Sequence, residues 1–150
     1  MIKTLDWRDI ERATVAMADF LRAGPPVLGL VAVARGGLIP AALLAQHLDV
    51  RLIETIAVRS YQGRQAGAAQ LLKPATVEDG GADWVIVDDL VDRGETARLV
   101  RGLLPKARLV CLYAKPAGRR AADWFSEEVA QDVWLEFPWE RQIIWRSGAN

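Results

Sequence analysis

The chain has 150 residues, enough for one domain whose hydrophobic core needs neither disulfides nor a structural metal. Lysine and arginine together number 19, as do aspartate and glutamate, so the formal net charge is zero and no overall field attracts nucleic acid. A single cysteine, Cys111, excludes an internal disulfide and a cysteine-based zinc site.

Membrane insertion and secretion are also disfavoured. The longest apolar run, residues 27–34, is too short to cross a bilayer, and residues 1–20 lack the basic start and apolar block of a secretion signal. We therefore expect a cytoplasmic protein. Several tryptophans in the C-terminal part leave peripheral contact with the inner face of the membrane open.

The first half of the chain alternates helix and strand patterns. Asp6 is a good N-cap for a helix that runs to about Leu21, with an apolar face formed by Ile10, Ala13, Met17, Phe20 and Leu21. The continuous apolar run 27–33 is typical of a parallel strand buried on both faces. Residues 34–40 contain a glycine pair and a cation, and they lead into a helix over 41–48.

The second half continues the alternation after an irregular stretch. Residues 52–61 predict a strand, whereas 62–83 are rich in glycine and alanine and predict a mobile loop that acts as a lid. A strand from Trp84 is followed by a helix over 96–104, whose expected sheet-facing residues are Leu99, Val100, Leu103 and Leu104.

The remaining residues complete a mostly parallel sheet with helices on both sides. Residues 108–114 form an apolar and β-branched strand pattern. Residues 123–125 and 133–135 predict two short edge strands joined by an acidic turn. The βαβα order indicates an α/β fold.

Residues 84–97 carry the most informative motif. An apolar strand ends in Asp88 and Asp89, passes Asp92 and Gly94, and enters a helix at Thr96. Loops at the carboxyl ends of parallel strands bind ligands. Backbone amides at a helix N-terminus suit a phosphate, and the acids suit a metal or ribose hydroxyls. The motif therefore predicts a ligand that carries both phosphate and sugar.

Each motif also has a simpler interpretation. Adjacent aspartates after a strand occur in many α/β proteins, and Arg35-Gly36-Gly37 is compatible with a tight turn alone. Lys115 is compatible with a solvated strand end and Trp134 with the core, and His47 is interpreted as a helix-surface residue. The order of the motifs favours a site, because three strand ends each carry groups that complete one binding site for a phosphorylated sugar.

Residues 85–92, with Gly94, Thr96 and Ala97, resemble the phosphoribosyl-diphosphate (PRPP) signature of type I phosphoribosyltransferases. More narrowly, the chain resembles the bacterial xanthine-guanine phosphoribosyltransferases, with further matches at residues 33–40, 60–61, 114–119, 131–136 and 138–139. The resemblance implies a type I phosphoribosyltransferase fold as a single domain over 1–150. It also implies a mobile loop at about 62–83 and a small base-recognition segment, the hood, at about 115–145.

The resemblance implies a purine salvage enzyme that makes nucleoside 5′-monophosphates and pyrophosphate. Asp88 and Asp89 would hold the ribose hydroxyls and the Mg²⁺ cofactor. Asp92 would act as general base at purine N7. PRPP would be bound by Asp88 and Asp89 together with Arg35, Gly36, Gly37, Arg93, Gly94, Glu95 and Thr96, and the family's glycine loop allows a cis peptide.

The resemblance assigns base choice to the last third of the chain. Lys115 would donate to the 6-oxo group, and Trp134 would stack on the purine. Backbone groups of Leu135 and Glu136 would contact the 2-position. Arg64 or Lys73 in the loop would reach the pyrophosphate. Small domains of this family generally work as homodimers or homotetramers.

Three positions depart from the family pattern. Arg93 stands where threonine is usual, Glu95 where glycine is common, and Ala34 where serine is usual. Glu95 brings an acid beside the expected phosphate, which Coulomb repulsion disfavours. A non-catalytic PRPP or nucleotide sensor on the same fold therefore stays open as a second hypothesis.

A receiver-like phosphoacceptor module is the third hypothesis. It requires an acid at a further strand end, but the ends at Ala34 and Ala114 are followed by Arg35 and Lys115. The purine transferase ranks first among the three.

Overall fold

A computed structural model describes residues 1–60 and 68–141, and every structural statement below concerns those residues. The strands are β1 Ile2–Thr4, β2 Gly29–Ala34, β3 Ile53–Ser60, β4 Ala69–Lys73, β5 Trp84–Val91, β6 Arg108–Ala114, β7 Trp124–Glu128 and β8 Trp134–Glu136. The helices are α1 Trp7–Arg22, α2 Leu38–Leu48 and α3 Glu95–Leu103.

Six strands form the central sheet in the order β4-β3-β2-β5-β6-β7. All neighbours in it are parallel except β3 and β4, so the predicted mostly parallel α/β sheet is confirmed. Alternate residues of the buried strands face opposite sides, as the strand period requires. Leu30 and Val85 join the core beneath α1 and α2, whereas Val31 and Ile86 join the core beneath α3.

The strand order reverses between β2 and β5, which lie side by side although β3 and β4 separate them in the chain. At such a switch point the loops after the two strands run in opposite directions and leave a crevice at the carboxyl edge. Those loops are residues 35–37 and 92–94, which contain the glycine pair and the third aspartate of the sequence motifs.

The predicted N-cap of α1 is confirmed. The Asp6 carboxylate accepts hydrogen bonds from the N–H groups of Arg8 (2.8 Å) and Asp9 (3.0 Å), and the Asp9 carboxylate accepts one from the Asp6 N–H (2.9 Å). This reciprocal capping box satisfies donors that a helix end otherwise leaves free. Phe20, expected in the core, is 37% exposed and stacks on Trp124 with 5.5 Å between ring centroids.

Several elements differ from the sequence prediction. Part of the predicted loop 62–83 is a strand, because β4 pairs with the edge of β3; residues 62–67 lie outside the described residues. The strands β7 and β8 do not pair with each other. Instead β7 closes the central sheet, and β8 pairs in parallel with β1, a strand that the sequence analysis missed. Leu103, expected to face the sheet, is 45% exposed.

None of the helices in residues 1–60 and 68–141 is long and apolar enough to cross a membrane.

Asp6→Ala tests the capping box. The N–H groups of Asp9 and Arg8 lower the pKa of the Asp6 carboxyl below its usual value, so the cap stabilises the fold above the unfolded pKa. That stability is lost as the pH falls through the lowered folded pKa. We expect the Ala variant to melt about 2–4 °C below the wild type at pH 7. This gap between the two melting temperatures should narrow below about pH 4.

Thermal melts at several pH values measure this gap. Asp6→Asn is the matched control, because its amide oxygen still caps the helix but carries no charge. A gap for Asp6→Ala that stays constant from pH 7 to pH 3 would contradict the assignment.

Candidate active site

The carboxyl edge of the central sheet opens into a cleft of about 1670 Å³. Most site residues expected from the sequence line it: Arg35, Gly36, Asp88, Asp89, Asp92, Arg93, Gly94, Glu95, Thr96, Lys115, Trp134 and Leu135. Gly37 and Glu136 are not among the described residues that line it. The tertiary structure therefore collects residues from four separate stretches of sequence at one cleft.

The glycine pair after β2 allows the loop to lie against β5. A Cβ on Gly36 would come within 2.4 Å of the Asp89 carboxylate, and a Cβ on Gly37 within 2.2 Å of the Val87 carbonyl oxygen. Only glycine fits such approaches without displacing the neighbouring strand. The Ala34–Arg35 peptide is cis, as the family resemblance implied.

Asp88, which is buried, and Asp89, which is partly buried, form an acidic pair near the end of β5. The Asp89 N–H donates to Asp88 Oδ1 (2.9 Å), and the Leu90 N–H donates to Asp89 Oδ1 (2.7 Å). Burial, followed by the charge of Asp89, raises the pKa of Asp88 well above its usual value. Burial also raises the pKa of Asp89, and the nearby Glu140 carboxylate acts in the same direction. Burial thus disfavours the charged form of both carboxyls, and a bound cation would stabilise that form.

The donor chemistry of this pair fits Mg²⁺. Magnesium prefers oxygen ligands and usually binds one or two carboxylates, with water and substrate oxygens in the remaining positions. Within residues 1–60 and 68–141, no group of three or more histidine, cysteine or acidic side chains is placed to hold a metal by itself. Asp88 and Asp89 therefore fit a metal whose other ligands come from the substrate.

The loop from Asp92 to Thr96 has the form of an anion cradle. Gly94 has a φ of 87° and caps α3, a conformation that favours glycine. The N-terminus of α3 presents free amides and a partial positive charge to the cleft. Arg93 is exposed, and its carbonyl accepts a hydrogen bond from Arg98 Nη2 (3.1 Å). Glu95 stands in the first helical turn, where the helix dipole stabilises an acid.

Asp92 and Lys115 form an ion pair in the cleft, with 3.3 Å between Lys115 Nζ and Asp92 Oδ2. Lys115 is 5% exposed, so its ammonium group is held inside the protein beside a carboxylate that is about half exposed. Burying a cation is costly without a partner, and Asp92 supplies one. Two residues predicted from different strand ends are thus adjacent.

Gln131 is a member of this cluster to which the sequence analysis gave no role. Its Nε2 donates to Asp92 Oδ1 (2.6 Å), and its Oε1 accepts from the Ala117 N–H (2.9 Å). The residue belongs to the stretch 131–136 that resembles the family. That match was the only signal for Gln131 in the sequence, because the role of a neutral side chain depends on partners that are distant in the chain.

The hood is anchored by the N-terminal strand. The Trp134 N–H donates to the Met1 carbonyl (2.8 Å), and the Leu5 N–H donates to the Glu136 carbonyl (3.0 Å). In a pair of parallel strands only every second residue of one strand has its N–H and C=O groups directed at the other strand. Trp134 and Glu136 bond to β1 and its flanking residues, so the backbone groups of Leu135 between them point away from β1. The Trp134 side chain is 56% exposed at the cleft.

Aromatic stacking holds the rest of the hood. The Phe137 and Trp139 rings stack with 4.8 Å between centroids, and Phe137 also meets Tyr113 edge-on at 5.9 Å. Trp7 contacts Trp139 at 6.0 Å. These contacts connect β6, α1 and the hood into one apolar unit.

The two cations proposed to reach the pyrophosphate from the loop have different outcomes. Lys73 is not among the described residues that line the cleft. It binds Glu54 Oε1 (3.1 Å) and the Thr55 carbonyl (2.8 Å) instead. Arg64, like Tyr61 of the matched pair 60–61, lies outside the described residues.

The chain matches a known protein family and is similar in sequence to named members of it. The profile of the phosphoribosyl transferase domain matches residues 10–140. A xanthine-guanine phosphoribosyltransferase of Nitratidesulfovibrio vulgaris is 48% identical over 138 residues, covering 91% of this chain and 83% of its own. The protein of the same name from Chromohalobacter salexigens is 44% identical over 142 residues, covering 95% and 86%.

Solved structures have the same architecture. A purine phosphoribosyltransferase from Pyrococcus horikoshii superimposes with a TM-score of 0.79 at 32% identity, covering 94% of this chain and 95% of its own. A xanthine-guanine-hypoxanthine phosphoribosyltransferase from Helicobacter pylori has a TM-score of 0.78 at 24% identity, covering 93% and 94%, which supports the fold.

Gly37→Ala tests whether the close approach of the first loop to β5 is required. The new Cβ would overlap the Val87 carbonyl, and we expect a loss of about 1–3 kcal/mol in the free energy of unfolding. Denaturant titration measures the change.

Gly102→Ala is the matched control, because a Cβ added there would meet no heavy atom within 4 Å and the residue stands inside α3. That substitution should stabilise the protein by about 0.5–1 kcal/mol. Equal effects of the two substitutions would refute the steric argument.

Proposed function

Because this chain belongs to the phosphoribosyltransferase family, we propose that it transfers the phosphoribosyl group of PRPP to guanine, xanthine or hypoxanthine. The products would be purine nucleoside 5′-monophosphates and pyrophosphate, as in purine salvage. The observation that carries the proposal is the Asp92–Lys115 pair, which places an acceptor and a donor side by side in the cleft.

This pair matches one edge of a 6-oxopurine. On that edge the 6-oxo group accepts a hydrogen bond, and the neighbouring N7–H donates one. Lys115 supplies the donor for the oxygen and Asp92 the acceptor for N7–H. Adenine carries an amino group at the same position, and this group offers no free acceptor to a buried ammonium ion. The pair therefore favours guanine, xanthine and hypoxanthine over adenine.

Asp92 would also act as general base during transfer. The purine N9 lone pair forms the new bond to C1′ of the ribose, while the bond from C1′ to the pyrophosphate oxygen breaks and pyrophosphate leaves with the electron pair. The N7 proton passes to Asp92, so the purine product is neutral. Positive charge develops on the ribose in the transition state, and the carboxylates nearby stabilise it.

The acidic pair and the anion cradle would bind different parts of PRPP. Asp88 and Asp89 suit the ribose hydroxyls and Mg²⁺, which when bound would neutralise the pyrophosphate leaving group. The amides from Asp92 to Thr96 suit the 5′-phosphate at the N-terminus of α3. Arg35 and the amide of Gly36 suit the pyrophosphate, because both residues line the cleft and Gly36 lies against Asp89. The Gly37 N–H donates to the Val33 carbonyl (2.8 Å) instead, so the role expected for its amide is not supported.

The hood would complete base recognition. Trp134 has an exposed ring for stacking on the purine face. The Glu136 carbonyl is engaged by Leu5, whereas the Leu135 backbone faces away from β1. We therefore assign contact with the purine 2-position first to Leu135. Xanthine, guanine and hypoxanthine differ only at that position.

We further propose a Mg²⁺-dependent homodimer or homotetramer that works in the cytoplasm. Peripheral membrane contact is the weaker part of this proposal, since Trp124 and Trp139 stack within the protein. Among the described tryptophans, Trp7 and Trp134 are more than half exposed. Because Trp134 lines the cleft, Trp7 is the described tryptophan that would meet a membrane surface. A non-catalytic sensor is less well supported, because binding alone needs no general base beside the purine.

A parallel assay tests the proposed reaction. PRPP and Mg²⁺ are supplied with guanine, xanthine, hypoxanthine or adenine, and nucleotide formation is followed, with EDTA as the metal-free arm. We expect turnover of the three oxopurines, little with adenine and none with EDTA.

In Lys115→Ala the preference for guanine over adenine should fall about 10- to 100-fold in kcat/KM. An unchanged preference would remove this account of specificity.

Asp92→Asn tests the general base. The amide keeps the size of the side chain and an oxygen for Gln131, but it cannot take up the N7 proton. We expect kcat to fall about 10²- to 10⁴-fold while PRPP affinity, measured by calorimetry, stays within about twofold. Asp132→Asn is the control, because it also removes one negative charge, at an exposed residue next to Gln131. Turnover at the wild-type rate in Asp92→Asn would exclude the assignment.

A further inference from the structure

Gln131 connects three parts of the chain that meet at the base-binding end of the cleft. It lies between β7 and β8, donates to Asp92 after β5, and accepts from Ala117 after β6. The chemistry of the partners fixes the orientation of the side-chain amide. A carboxylate only accepts and a backbone N–H only donates, so Nε2 must face Asp92 and Oε1 must face Ala117.

The two carboxylate oxygens of Asp92 have different partners. Oδ1 is bound by Gln131 at 2.6 Å, a strong hydrogen bond to a charged acceptor, whereas Oδ2 faces Lys115 at the longer distance of 3.3 Å. In the proposed reaction Lys115 must turn to the 6-oxo group, and Asp92 must receive the N7 proton. The oxygen free to do so is Oδ2, because Oδ1 keeps its donor throughout.

Asp92 needs such a second anchor. Its side chain is 49% exposed and stands on a loop. If the ion pair with Lys115 were its only contact, the carboxylate could rotate once Lys115 binds the 6-oxo group of the purine. The anchor is also neutral. A second cation there would oppose the uptake of a proton by the carboxylate, and an acid would repel it.

The turn that carries Gln131 is held independently of its side chain. The Val129 N–H donates to the Ala114 carbonyl (2.9 Å), and the Val133 N–H donates to the Ala130 carbonyl (3.1 Å). Substitution of Gln131 should therefore leave the backbone of the turn in place. Its effects can be attributed to the lost side-chain contacts.

We infer that Gln131 is a positioning residue that holds Oδ1 of Asp92, so that Oδ2 meets the N7 proton while Lys115 meets the 6-oxo group. This inference rests on the proposed transferase function for its kinetic consequences. Its structural part, the bridge from Asp92 to Ala117, stands in the protein without substrate.

Three variants test the kinetic part with guanine and PRPP. In Gln131→Ala we expect kcat to fall about 10- to 100-fold, because a misplaced catalytic group loses its alignment with the substrate. The KM for PRPP should stay within about twofold and the melting temperature should change little. Gln131→Glu keeps an acceptor for Ala117 but cannot donate to Asp92, so it should lose at least as much kcat. Asp132→Ala, an exposed neighbour in the same turn, should keep the wild-type rate.

Two results would overturn the kinetic part. One is a wild-type kcat in Gln131→Ala or in Gln131→Glu. In Gln131→Glu that result would show that the hydrogen bond to Asp92 is not needed and that Gln131 serves only to accept from Ala117. The other is a fall in kcat matched by an equal rise in the KM for PRPP and a lower melting temperature, which would indicate a general structural role.

Hydrogen exchange measured by NMR tests the bridge without any reaction. Ala117 is exposed, so its amide should be slow to exchange only while Gln131 accepts from it, and it should exchange faster in Gln131→Ala. The Gln131 side-chain amide protons should be protected in the wild type and lose protection in Asp92→Ala. Equal exchange in wild type and variants would overturn the inference. Absence of nucleotide formation by the wild type with every base would instead refute the proposed function.

Discussion

The close contact between the loop after β2 and the strand β5 is the constraint on which the rest of the site depends. The two strands are neighbours at the switch point of the sheet, and glycines at 36 and 37 let the first loop lie directly on Val87 and Asp89. Any side chain there would push the loop away from the acidic pair. The cleft exists in this form because backbone, and not side chains, fills the space between the two strand ends.

The acids of the cleft are held in two electrostatic environments. Asp88 is buried and the adjacent Asp89 is partly buried, and loss of solvent raises the pKa of both. Such a pair suits the proposed Mg²⁺ and ribose hydroxyls. Asp92 is more exposed and has Lys115 and Gln131 as partners. One strand end thus supplies acids suited to two different tasks, and the neighbours of each acid decide which task it has.

The end of the cleft that is proposed to bind the base is built by elements that are distant in the chain. Strand β1 at the N-terminus pairs with β8, and the rings of Phe137 and Trp139 stack behind it. Gln131 then ties the hood to the loop that carries Asp92. The proposed purine pocket is therefore coupled both to the sheet and to the N-terminal strand, so its geometry depends on both.

Local pattern determined the central strands, the N-cap of α1 and the acidic motif, because period, caps and adjacent charges are properties of short stretches. It missed β1 and β4, which are short strands that pair at edges, and it joined β7 to β8, which belong to different sheets. It also gave Gln131 no role. Only the tertiary structure decided these points, because strand pairing and the partners of a neutral side chain are set by residues distant in sequence. The sequence by itself determined which chemical groups are available, and packing decided which of them meet.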